Sequence, residues 1–399
     1  MNKWLKDIGP GVLVTAAFIG PGTVTVCLLA GNKYLFALLW SILFATFGTI
    51  VLQQMSARLG LISGAGLSEA IRNHITSSWS RYMSTALIIT AILLGNAAYE
   101  AGNISGTLIG MKMIIGDTYL NDFVLNSIIY LMVFLLLYFG TYKLLEKFFI
   151  GIVGIMSISF IAAAAVSEPS FMGIIKGLFI PAIPAGSMME VVALVGTTIV
   201  PYNLFLHSAI IKEKWTDVND MGKLKKDTVI AILIGGLISI CILITGASTY
   251  GHEMQAISNL SISFETVYGQ TGKYLFGFGI FAAGFTSAIT APLAAGLVAC
   301  GLFGWNIKAS GKEFRLIWIA VLSAGFIFAS IGYKPIEIIK LAQFSNGLLL
   351  PFIACFLIWA VNQPAIMGKY VNTALQNILG FLVLLVTIIL GLKGIVTLF

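Results

Sequence analysis

The sequence predicts an all-α membrane protein of eleven transmembrane helices, built as two five-helix blocks plus one extra helix. Three observations lead there. Hydrophobic residues make up 58% of the chain and charged ones 10%, with mean hydropathy +0.98, where a globular chain carries about 25% charged residues. Apolar runs of the ~20 residues needed to cross a bilayer recur along the whole chain. Two of these runs are interrupted by proline at corresponding places in the two blocks. A single soluble core stops growing near ~250–300 residues, so 399 residues of this composition cannot hide their apolar surface from water. A cytosolic enzyme and a disulfide-stapled extracellular domain are excluded.

In chain order the spans fall at 10–30, 35–57, 83–114, 123–140, 148–166, 187–211, 227–249, 271–304, 314–331, 336–361 and 374–397. The first begins after N-terminal lysines but continues through Gly20-Pro21-Gly22, so it reads as a spanning helix and not as a cleaved signal. The third and eighth are longer than a bilayer requires and imply tilt or an extension beyond it. The longest polar connection, Lys212 to Lys226, is too short for a folded domain. Residues 1–399 therefore form one domain, with repeats at about 10–166 and 187–361 and the extra helix at 374–397.

The net charge of +7 and pI near 9.1 are explained by topology. With the N-terminus cytoplasmic, the outer segments hold only Lys33, Lys112, Lys176, Lys273, Lys334, Lys340 and Lys393, and the remaining lysines and arginines lie inside. The positive-inside rule then leaves the C-terminus outside the plasma (inner) membrane. No basic block with interleaved aromatics is present, so no nucleic-acid partner is expected. Cys27, Cys241, Cys300 and Cys355 sit in apolar stretches without metal-ligand spacing and read as packing residues.

The two interrupted spans carry the functional signal. The first reads Gly20-Pro21-Gly22-Thr23 in mid-span; the sixth reads Thr197-Thr198-Ile199-Val200-Pro201-Tyr202-Asn203. Proline removes an amide donor and breaks the helical ladder. Unwound backbone is tolerated at that depth where it lines a cavity, and a matched pair marks an inverted-repeat transporter with its site between the breaks. Proline and glycine also merely kink spanning helices, but both breaks here are flanked by polar groups. Thr23 and Asn203 are expected to face each other across a roomy, neutral cavity.

Along almost the whole chain, ordered pieces resemble the Nramp divalent-metal transporters, which share the LeuT-type architecture. These are Gly9-Pro10-Gly11, Ala30-Gly31-Asn32-Lys33-Tyr34, Gln53-Gln54-Met55-Ser56-Ala57-Arg58-Leu59-Gly60, Tyr142-Lys143 with Glu146, Asn203-Leu204-Phe205-Leu206-His207-Ser208, Ala282-Ala283-Gly284 and Leu350-Pro351-Phe352. The resemblance implies a LeuT-type 5+5 inverted repeat with unwound first and sixth helices, secondary transport driven by an ion gradient, alternating access, and a divalent cation as substrate. It implies no resident cofactor.

The departures fall at the chemistry. In the family the first break reads Asp-Pro-Gly-Asn, and its Asp and Asn hold the metal; here Gly20 and Thr23 replace them. In the family the sixth break reads Met-Pro-His-Asn; here Val200 replaces the thioether and Tyr202 the histidine. Without sulfur the preference for late transition metals goes, and without a carboxylate a hard divalent ion loses its favoured ligand. The Thr197 carbonyl and Gln343 resemble further family ligands. Glu100 and Asn103 fall where the family has two acids used for proton transfer and gating. An acid inside the membrane is expensive and functional by default, so Glu100 reads as a proton carrier or as a counter-charge to the cargo, with a structural partner for a hydroxyl or amide as the blander reading. His207 reads as a structural histidine or a proton relay. A small polar organic solute such as an amino acid is the alternative cargo, and a non-transporting sensor is a lesser one. Enzymatic readings fail: His252-Glu253 opens like a zinc-protease motif, but Ala256 stands where its second histidine is required.

Overall fold

In hydrocarbon every backbone N–H and C=O must find a partner within the protein, which leaves helices as the economical solution for apolar runs of this length. The computed structural model describes residues 10–11, 14–15, 19–75, 77–116, 120–139, 142–251, 261, 264–265, 268–305, 311–332 and 334–397. Within them every regular element is a helix: α1 (Pro21–Tyr34), α2 (Leu39–Ser63), α3 (Leu67–His74), α4 (Ser78–Ile115), α5 (Asp122–Phe139), α6 (Tyr142–Val166), α7 (Phe171–Phe179), α8 (Met188–Thr198), α9 (Pro201–Ile210), α10 (Met221–Ala247), α11 (Gln270–Phe303), α12 (Lys312–Ser330), α13 (Pro335–Val361), α14 (Pro364–Met367) and α15 (Ala374–Val396), with three-residue 3₁₀ turns between some of them. The His252–Ala256 stretch, Gly9, Lys3, Lys6 and Lys308 lie outside the described residues.

Among the described residues nine helices, the sixth span being taken across its break, are long and apolar enough to cross a membrane. Eleven is not reached by that measure. Among the described residues the first span contributes the 14-residue α1, and the fifth forms the 25-residue α6. The overlong third span is borne out: α4 has 38 residues, about 57 Å at 1.5 Å per residue, and its first turns expose the stacked Trp79 and Tyr82, aromatic residues of the kind that favour a membrane boundary.

Both breaks have the same local cause. Just before the first break Ile19 N–H bonds to the Thr15 carbonyl, and just before the second Ile199 N–H bonds to the Val195 carbonyl. Pro21 and Pro201 then stand at the first helical position of α1 and α9. A proline there lacks the amide that would continue the preceding helix, and its fixed φ suits a new start. Gly20 and Val200 cap the new helices in extended conformations, with ψ −175° and 123°.

Burial separates the centre from the lipid-facing shell. In the most apolar stretch of the sixth span 94% of residues are buried, against 28% in α5. Leu131, Leu135 and Phe139 of α5 and Leu375, Ile378 and Phe381 of α15 are exposed apolar residues suited to acyl chains. At the centre, α1 runs beside α10 at backbone contact. A methyl group on Gly31 would stand 2.0 Å from the Leu243 carbonyl oxygen, and one on Gly246 would stand 2.3 Å from that of Leu28. Small residues are what allow spanning helices to approach this closely. Gly246→Val forces α1 and α10 apart, and thermal unfolding in detergent is expected to show a loss of about 1–3 kcal/mol; an unchanged unfolding temperature would contradict the contact.

Candidate functional site

Because each break starts a helix at a proline, the first turn of α1 and the last turn of α8 lie on the same side of the junction. Thr23 Oγ1 therefore meets Thr197 Oγ1 at 2.8 Å, both fully buried. Thr23 and Asn203 were expected to face each other across the break; the bond shown for the Thr23 hydroxyl is to Thr197. Asn203 belongs to α9, which leaves the junction in the other direction, and its Nδ2 donates at 3.4 Å to the Val14 carbonyl of the first span. Its Oδ1 is buried without a partner.

From α13, Gln343 reaches the first break. Gln343 is buried and lies so close to the first break that a methyl group on Gly22 would stand 1.9 Å from its Nε2. Its own backbone carbonyl packs on Gly196, one residue before Thr197. Gln343 Oε1, like Asn203 Oδ1, has no hydrogen-bond partner. Gly22 is thus required by the side chain it faces.

Aromatic hydroxyls close another side. Tyr99 of α4 and Tyr202 of α9 meet edge to face with ring centres 5.4 Å apart. Both rings face α11, Tyr99 toward Ser287 and Tyr202 toward Thr290, and Ser287 Oγ is buried with no hydrogen-bond partner among the described residues. Gly20 lies against this group: a methyl group there would stand 2.6 Å from Ser287 Oγ and 3.3 Å from the Tyr99 hydroxyl. Val200 is buried beside the break at 1% exposure and contributes no donor atom.

Glu100 follows Tyr99 in α4, so its side chain leaves the helix about 100° away. Its methylene carbons pack on Gly325 of α12, and the buried carboxyl group accepts from Asn103 Nδ2 at 3.1 Å through Oε2 while Oε1 has no partner among the described residues. It is thus on the flank of the junction while Tyr99 faces it. His207, two turns into α9, is fully buried; its Nδ1 is 2.9 Å from Gln53 Oε1 and its Nε2 has no partner. It sits on α2 and away from the breaks.

The structure thus brings Gly20, Pro21, Gly22, Thr23, Thr197 and Gln343 together, with Val200, Pro201, Tyr202 and Asn203 at the adjoining break. Glu100 with Asn103, and His207, are neighbours on separate helices. Sequence reasoning did not single out Tyr99, Glu190, Ser287 or Thr290 as site residues. Glu190, buried at 5%, accepts from Lys33 of α1 at 3.1 Å and lies 3.9 Å from Lys340 of α13. An acid inside the sixth span was the available signal. Among the described residues no three His, Cys, Asp or Glu side chains group as a metal cluster, so the junction itself offers neutral oxygens and amides.

The close fit makes one prediction. Gly22→Ala should lower the unfolding temperature, and adding Gln343→Ala should restore most of the loss, since the clash is with that side chain; equal losses in the single and double variants would contradict it.

Comparison with known proteins gives a consistent picture. The profile of the Nramp family (natural resistance-associated macrophage protein-like) matches residues 11–397. The divalent metal cation transporter MntH of Yersinia pestis is 27% identical over 96% of this chain and 93% of its own length. In fold, the manganese transporter of Eremococcus coleocola superposes with a TM-score of 0.79 at 23% identity, covering 98% of this chain and 86% of that one. MhsT in complex with L-phenylalanine superposes with a TM-score of 0.64 at 13% identity, covering 98% of both chains.

Proposed function

The chain belongs to the Nramp family, and on that premise we propose that it is a secondary transporter that carries a cation through the junction of its two broken helices by alternating access. The single observation that carries this reading is the pair of buried amide oxygens, Asn203 Oδ1 and Gln343 Oε1, left without partners at the two breaks. A buried acceptor without a donor costs about 1–3 kcal/mol, and a cation or a donor group on the cargo removes that cost. The carbonyl end of α8, which precedes the second break, adds negative dipole character. Curated relatives named as divalent metal cation transporters support the choice of a cation.

In this reading Gly20, Thr23, Thr197, Val200, Tyr202, Asn203 and Gln343 contact the cargo, and Pro21, Gly22 and Pro201 hold the breaks open. The donor set is hard and uncharged. Without the thioether, the ion is not selected for softness, and without a carboxylate it keeps part of its water. Glu100, with Asn103, takes up and releases the coupling proton, and His207 gates α9 against α2. The repeats at 10–166 and 187–361 rock about the breaks, with the N-terminus cytoplasmic and the C-terminus outside.

A second reading, transport of a small polar organic solute, is favoured by the absence of any carboxylate among the residues at the junction, together with the helix N-termini that α1 and α9 present there. Such N-termini suit a substrate carboxylate.

Three measurements separate these. Calorimetry of the purified protein with Mg²⁺ and Mn²⁺ is expected to give heat for both without marked preference; stabilisation by amino acids alone would replace the cation reading with the second one. Asn203→Ala should reduce uptake into proteoliposomes by about tenfold or more while the protein still folds, with only a modest drop in unfolding temperature from the lost bond to Val14, and normal uptake would remove that residue from the path. Glu100→Gln should make uptake indifferent to an imposed proton gradient; retained dependence on the gradient would assign coupling elsewhere.

A further inference from the structure

A cavity of about 160 Å³ opens between α2, the start of α10 and the start of α15, at the end of the bundle opposite the Lys33–Glu190 pair. Its α2 wall runs through Phe47, Val51, Gln54 and Arg58, residues three or four apart and so on one face of the helix. The face changes character along its length. Phe47, 41% exposed, faces the hydrocarbon side, and Arg58 lies about 16 Å further on at 1.5 Å per residue, a distance comparable to half of the ~30 Å bilayer core.

The polar end is built around an unbalanced charge. Arg58 is 7% exposed, and its guanidinium donates to Gln376 Oε1 at 2.7 Å and to Asn372 Oδ1, both neutral, while Nε is buried without a partner. Lys225 adds a second cation to the cavity. Among the described residues neither is paired with a carboxylate. A buried guanidinium held only by amides retains a strong demand for an anion, and the remaining wall, including Leu379 of α15, is apolar.

We propose that this cavity binds the phosphate headgroup of an anionic glycerophospholipid, with Arg58 and Lys225 on the phosphate, Gln54 and Gln376 beside it, and an acyl chain along Phe47 and Leu379. Basic pockets between spanning helices are suited to such headgroups. A free phosphate ion shares the headgroup chemistry but has no use for the apolar wall. The site is separate from the broken-helix junction, and the inference does not depend on which cargo the junction carries.

The test uses the full-length protein reconstituted in phosphatidylcholine vesicles with or without phosphatidylglycerol, extracted in mild detergent, with retained lipid read by native mass spectrometry and unfolding followed by temperature. The wild type should retain phosphatidylglycerol over phosphatidylcholine. Lys225→Gln alters an exposed side chain, so folding is not in question, and it should weaken that retention about fivefold; Arg58→Gln should do at least as much. Equal retention of the two lipids by the wild type, or unchanged retention in Lys225→Gln, would overturn the proposal. So would inorganic phosphate in pure phosphatidylcholine raising the unfolding temperature as far as phosphatidylglycerol does, since that marks a free-anion site.

Discussion

Two prolines that begin helices in the middle of spans are the constraint on which the architecture turns. Each deletes an amide where the chain has no water to replace it. The backbone between Ile19 and Pro21, and between Ile199 and Pro201, must therefore be enclosed by other parts of the protein. The enclosure explains the crowding around it: Gln343 pressed on Gly22, Thr23 on Thr197, and the Tyr99–Tyr202 pair against Gly20. It also explains why the sixth span is the most buried in the bundle.

The electrostatics follow from the same economy. The junction is lined by hydroxyls, amides and carbonyls, while the Lys33–Glu190–Lys340 cluster and the Lys112–Asp122 pair occupy helix ends. Uncompensated charge is expensive inside the bilayer, so buried ionisable groups such as Glu100 and Arg58 are informative. Glu100 accepts a hydrogen bond from Asn103 on the flank of the junction. Arg58 is supported by amides at the end of α2, beside a cavity that opens to the lipid-facing side.

Much of this was legible in one dimension. Spans such as 271–304 and 336–361 lie within a residue of α11 and α13, because an apolar run of bilayer length has no other stable home. The breaks were legible because proline acts through its own covalent structure, independent of neighbours. Glu100 stood out because an acid in an apolar run is chemically conspicuous. The partners of these groups were not legible. Thr23 and Asn203 share a polar character and a place beside a break, but the directions in which α1 and α9 leave the junction set their contacts 174 and 189 residues away in sequence. The cavity beside Arg58 was invisible for the same reason, since three helices distant in sequence form its walls.

Composition and covalent chemistry by themselves determined that the chain lives in a membrane, that it is helical, and that two of its helices stop and restart at Pro21 and Pro201. Those outcomes depend on local hydropathy and on a missing N–H, which any neighbour leaves unchanged. Tertiary structure alone decided that Gln343 packs on Gly22, that Thr23 bonds to Thr197, and that Glu100 turns toward α12 while Tyr99 faces the breaks. Such choices are set by helix direction and close packing, which exist only once the bundle has assembled.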